Sequence, residues 1–348
     1  MKIKTYSGRA ALLAMLMASA SGTTTALEVG DQFEVHGYGD LSQTAAGVDA
    51  SGQGLGAHIT TYNLSLLGTW RATDRTQLWA QLGLNEELKR PNIDWAFIDY
   101  QAASGQTYRL GRIRVPVGMH NELRDVQAVR PSAGLPLIYL ENLSLIDESA
   151  DGGMVTQKLS LGDSRLSVDV FAAAAMHSDD AEAARGSAWG ARVTIETPID
   201  GLTLSGSGYR GKLAQGDASS RRTKKGWVLS AHFANEQIDL QAELARGHVY
   251  DHGVSAWYVQ AALPLAESWH VTSRFEGMVT DVAQRNDDAY REERWMVGLA
   301  YAISHNFGLR LEQRLHRGYA SAVADGRLAA GLGRHRWTST VLGVNFKF

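Results

Sequence analysis

The last twelve residues, Trp337 to Phe348 (WTSTVLGVNFKF), place Leu342, Val344, Phe346 and Phe348 at every second position, with mostly small or polar residues between them. A strand needs that period when one face meets apolar surroundings and the other meets water. Within a bilayer such a strand exists only in a closed barrel, because an open sheet edge would leave backbone amides unpaired in hydrocarbon. The rest of the chain must therefore supply many similar strands. Interleaving their apolar and polar residues keeps the average polarity of the chain moderate. The mean hydropathy is −0.21.

Lys2, Lys4 and Arg9 precede an apolar run from Ala10 to Ala18, and small residues follow through Ala20 and Thr24 to Ala26. That is the order of a secretory signal peptide. The run is about half of the roughly 20 apolar residues a membrane helix requires. Residues 1–26 are therefore assigned to a signal peptide cleaved near Ala26, with Ala20 as the second choice. Residues 27–348 form one barrel domain. The absence of cysteine suits export through an oxidising compartment and removes thiolate metal sites from consideration. The 37 acidic residues outnumber the 34 basic ones, three of which leave with the signal peptide, so nucleic acid is not an expected partner.

Sixteen alternating segments follow, beginning with Phe33 to Ser42, His58 to Trp70, Thr76 to Asn85, Ile93 to Gln101 and Thr107 to Val115, and ending with Phe307 to Arg317 and Trp337 to Phe348. An even number is what a single-chain bacterial barrel requires. Short turns such as Arg71 to Arg75, Gly162-Asp163 and Glu236-Gln237 alternate with longer connections such as Gln43 to Ala57, Pro116 to Gly153, Lys212 to Lys225 and Gly318 to Arg336. Trp189, Ala191, Val193 and Ile195 share a face opposite Arg192, Thr194 and Glu196. Likewise Phe307, Leu309, Leu311 and Leu315 oppose Arg310, Glu312, Arg314 and His316. Charge recurring on the second face marks a wet lumen, and Trp70, Trp189, Trp227, Trp269 and Trp337 at strand ends fit interfacial girdles. The predicted fold is all-β, a transmembrane antiparallel up-and-down β-barrel of about sixteen strands.

The connection from Pro116 to Gly153 is long for an ordered protein, which gives it a function or leaves it unstructured. At its root stands Leu110-Gly111-Arg112-Ile113-Arg114-Val115-Pro116-Val117-Gly118, which resembles the "LGR-x-x-x-P-x-G" segment of the phosphate-selective porin O and P family and related sixteen-stranded porins. The aromatic terminal residue Phe348 likewise resembles the outer-membrane assembly signal of Gram-negative bacteria. The resemblance implies a bacterial outer-membrane porin and a homotrimer, with the bilayer and lipopolysaccharide as surroundings and small hydrophilic solutes as cargo. It also implies that residues 117–152 fold inward as a constriction loop; the alternative is a loop lying over the rim. A glycine bulge at Gly111 is expected to turn Arg112 inward, either toward solute or toward a loop carboxylate.

The lumenal basic set expected from parity, Arg192, Arg274, Arg294, Arg310 and Arg314, is balanced by Asp169, Glu196, Glu243, Glu276 and Glu312. Such a lumen orients polar solutes without demanding anion selectivity. The candidate pore-lining and constriction residues are Arg112, Arg124, Arg130, Asp147, Glu148, Arg192, Arg274, Arg310 and Arg314. No Gly-x-Ser-x-Gly motif occurs. His248 and His252 lack a third metal ligand, and Asp147, Glu148 and Asp151 do not match a calcium loop. No cofactor or enzymatic activity is expected. The competing reading is a recognition or adhesion barrel with a closed lumen, and after it a barrel enzyme.

Overall fold

The computed structural model describes residues 27–28, 32–46, 58–85, 91–126, 130–140, 143, 145–177, 184–215, 217–318, 320–321 and 336–348. The expected signal peptide lies outside them. A two-residue strand, β1 (Leu27–Glu28), precedes sixteen long ones: β2 (Phe33–Ala46), β3 (His58–Thr73), β4 (Thr76–Asn85), β5 (Asn92–Gln101), β6 (Gln106–Arg114), β7 (Ser149–Leu161), β8 (Ser164–His177), β9 (Ala184–Glu196), β10 (Leu202–Gln215), β11 (Asp217–Ala234), β12 (Asp239–Val249), β13 (His252–Ala266), β14 (Trp269–Val279), β15 (Arg291–Ala302), β16 (Phe307–Gly318) and β17 (Arg336–Lys347). Each of the sixteen pairs antiparallel with its sequence neighbours, and β17 pairs with β2 to close the barrel.

Closure depends on the carboxyl terminus. Phe348 accepts a hydrogen bond from the Gly37 amide at 3.0 Å and donates one back at 2.8 Å. A Cβ on Gly37 would lie 2.1 Å from the Phe348 ring, so the ring crosses the bare backbone of β2.

Every barrel strand contributes a large apolar side chain to the outer surface, among them Phe33 on β2, Leu66 on β3, Val170 on β8, Leu229 on β11, Phe275 on β14 and Leu342 on β17. A continuous apolar belt of this size suits hydrocarbon, not water. Connections of two to five residues join the strands at one end of the barrel, among them the two-residue turns from β3 to β4, β7 to β8 and β13 to β14. The other end carries the longest connections, such as 115–148 and 280–290, although only Tyr250 and Asp251 join β12 to β13 there. One expected loop is largely strand. β10 and β11 stay paired well into Lys212 to Lys225, with Lys212 opposite Thr223.

Candidate functional site

The 115–148 connection enters the barrel. It carries its own apolar core: Val115, Val117, Leu137, Ile138, Tyr139, Leu143 and Leu145 are at most 2 % exposed. These pack against inward residues of the wall, including Val228 on β11, Ala245 on β12, Ala256 on β13 and Met278 on β14. Leu145 sits in a notch, since a Cβ on Gly226 or Gly247 would come within 2.5 or 2.4 Å of its methyl carbon. A lumen otherwise lined by polar groups has thus been given an apolar sector where the loop lies on it. Burial of that sector supplies a non-directional attraction, and polar clamps fix the position.

The wall arginines form the firmest clamp. Arg274, fully buried on β14, donates to Ser132 Oγ (2.7 Å), to the Gly134 carbonyl (3.2 Å) and to the Leu135 carbonyl (3.3 Å), while pairing with Glu276 at 2.9 Å. Arg294 on β15 pairs with the same carboxylate at 2.7 Å, and Glu276 accepts the Leu137 amide at 2.6 Å. Arg310 on β16 donates to the Ser132 carbonyl at 3.1 Å. Glu312 takes the Ala133 amide and pairs with Arg314 at 2.6 Å. A second carboxylate, Glu243 on β12, accepts from the Met119 amide (2.8 Å), Tyr139 (2.5 Å), Ser230 (2.6 Å) and Tyr258 (3.1 Å). Arg192 on β9 bridges Asp169 of the wall and Glu122 of the loop at 2.9 and 2.6 Å.

At the loop root, Arg114 turns inward, 3 % exposed, and pairs with Asp125 and Glu148. Arg112 does not turn inward. It keeps the face of exposed Tyr108 and Leu110 and pairs with Asp151 at 2.9 Å; Asp151 also contacts His177 at 3.0 Å. Gly111 does adopt a left-handed φ of 136°, because its backbone lies against the Ala96 carbonyl, but the pairing of β6 with β7 runs through without a shift. Arg112 therefore keeps the outer face, and the alternation breaks only at the strand's end, where Ile113 and Arg114 are both buried. Asp147 pairs with Lys224 on β11 at 2.7 Å. Arg124 is buried inside the loop, its Nη1 3.4 Å from Asn121 Oδ1 and its Nη2 3.4 Å from the Tyr139 carbonyl.

Arg130 stands apart from these clamps. Its Nε is buried without a hydrogen-bond partner among the described residues. Burial, then the field of Asp40, Arg310, Arg274 and Glu312, sets its guanidinium, and the balance brings it down to about 10, still charged at neutral pH. It lines two cavities on the short-turn side of the loop, both with charged groups in their walls. One, of about 560 Å³, also has Glu236, Asp239, His270, His305, Arg310 and Lys347 in its wall. The other, of about 450 Å³, includes His120, Arg192, His232, Asp239 and Gln241. Asp40 of β2, on the strand face opposite Phe33, Val35 and Leu41 but not among the expected pore-lining residues, faces Arg130 and Arg310.

His316 has Nδ1 2.8 Å from Glu292 and Nε2 2.9 Å from Ser339, the contact order of a hydrolase relay. The serine is 2 % exposed and the imidazole is stacked on Trp337, so no face is offered to a substrate. Glu292 instead ties the outer connection to the wall by accepting the Ser321 amide at 2.9 Å. Among the described residues no three metal-ligating side chains converge.

No protein-family model matches the sequence, and no curated protein matches it. Solved structures with a similar fold include an anion-selective porin from Comamonas acidovorans (TM-score 0.63, 14 % identity, covering 91 % of this chain and 99 % of that one). Others are OmpF of Salmonella typhi (0.62, 12 %, 92 % and 99 %) and the outer membrane channel DcaP of Acinetobacter baumannii (0.59, 11 %, 93 % and 100 %). At these identities the likeness shows the fold, a porin-type barrel over nearly the whole chain.

Proposed function

We propose that the chain is a bacterial outer-membrane porin through which small hydrophilic solutes diffuse passively, with residues 1–26 as its export signal. The observation that carries this reading is Arg130, charged and with no hydrogen bond from its Nε among the described residues, on a loop that the wall holds fixed across the lumen and at the head of two cavities with charged groups in their walls. The fold-level likeness to porins and the apolar belt support the location. Arg274 and Arg294 share Glu276 and Arg314 pairs with Glu312, so these arginines position the loop and leave one positive charge in excess. The rest of the field a solute meets comes from Arg130, Arg310 and Lys347 against Asp40, Glu236 and Asp239. That balance favours small anions weakly.

Reversal potentials in a potassium chloride gradient test the reading. Wild type should be mildly anion-selective and Arg130→Glu should move toward cations. An unchanged reversal potential would remove Arg130 from the path. The closed-lumen reading has one observation in its favour, the apolar core that the loop builds inside the barrel; absence of channel steps in both wild type and Arg130→Ala would establish it. The resemblance to sixteen-stranded porins supports a homotrimer, which the mass of the detergent-solubilised protein checks.

A further inference from the structure

On the outer surface, toward the long-loop ends of β10 to β14, basic side chains stand directly beside one another. Arg210 is opposite Lys225, and Lys225 is opposite His248. Two residues nearer the short-turn end, Trp227 is opposite Arg246. With Arg285 from the following connection, these residues line a groove of about 930 Å³ that contains no aspartate or glutamate. Their face is the outward one, because Lys225 alternates with exposed Trp227 and Leu229, and Arg246 with exposed Leu244. Among the described residues, the charged groups of Arg210, Lys225, Arg246 and Arg285 make no hydrogen bond or ion pair.

Like charges directly opposite on neighbouring strands repel and weaken the sheet. By contrast, the lumenal arginines Arg192, Arg274, Arg294 and Arg314 all meet carboxylates. A row left uncompensated on the lipid-facing side calls for an external anion. Its depth identifies the source. Trp189 is opposite Arg210, and Trp227 lies two residues from Lys225, about 7 Å along a strand. Tryptophans of this kind mark the bilayer interface, so the cations stand at headgroup depth with Leu229 and Leu244 at acyl-chain depth beneath them.

We infer that this groove binds the phosphate groups of lipopolysaccharide in the outer leaflet, through charge-assisted hydrogen bonds from Arg210, Lys225, Arg246 and Arg285. The inference rests on the outer-membrane location proposed above and is independent of whether the lumen conducts. The test uses the folded full barrel in detergent, with tryptophan fluorescence followed during titration by diphosphorylated lipid A, dephosphorylated lipid A or inorganic phosphate. Diphosphorylated lipid A should bind about tenfold more tightly than either of the others. The Lys225→Gln/Arg246→Gln variant should lose about tenfold in that affinity while keeping wild-type conductance and the gel mobility of a folded barrel. Equal binding of dephosphorylated lipid A, or an unaltered double variant, would overturn the proposal. So would inorganic phosphate binding as well as the lipid, or cross-linking of Lys225→Cys to a neighbouring subunit. A barrel that binds lipid A but conducts nothing would refute the pore and leave the groove standing.

Discussion

Arg112 and Arg114 are two positions apart on β6 yet meet opposite environments. Arg114 is buried between Asp125 and Glu148, whereas Arg112 and Asp151 are partly exposed on the outer face. Removing one partner of a buried pair strands the others, while a screened pair contributes little. Arg114→Met should therefore destabilise the folded barrel by about 3 to 5 kcal/mol, and Arg112→Gln by about 0 to 1 kcal/mol, measured by urea unfolding in detergent. His120, in the inward loop, has its imidazole pushed down to about 4 by burial, against the hydrogen bond it donates to Gln241 Oε1, which raises it. Between its ordinary 6.5 and about 4, the unfolded chain binds a proton that the folded chain refuses, so stability falls as the pH drops through that window. His120→Asn should flatten that part of the stability profile.

At the scale of elements, the strands were legible because lipid on one face and water on the other impose a period of two. Where both faces meet water the signal fades, which is why the paired outer ends of β10 and β11 read as a loop. Parity also placed Arg274, Arg310 and Arg314 in the lumen. It could not name their partners, since the carbonyls of Ser132, Gly134 and Leu135 lie far away in sequence, nor could it separate Arg112 from Arg114. Depth along a strand sharpens the membrane predictions. Phe275 lies near the middle of β14 and Leu309 near the short-turn end of β16. Phe275→Arg should cost about 2 to 4 kcal/mol and Leu309→Arg about 0 to 1 kcal/mol, read from the folded fraction after reconstitution.

For the whole molecule, a closed barrel supplies a rigid frame and, on the proposed reading, the internal loop sets what the frame can pass. The loop is held by apolar packing and by the carboxylates Glu243, Glu276 and Glu312, each of which takes one of its backbone amides. Glu276→Gln weakens that hold and leaves Arg274 and Arg294 without their counter-charge, so the single-channel current should become noisy and larger on average. The most direct measurement is single-channel conductance of the folded wild-type protein in planar bilayers, beside Arg130→Ala. The account predicts small, stepwise, ohmic openings in wild type and larger ones when the Arg130 side chain is removed. Folded protein that gives no steps in either form would contradict it.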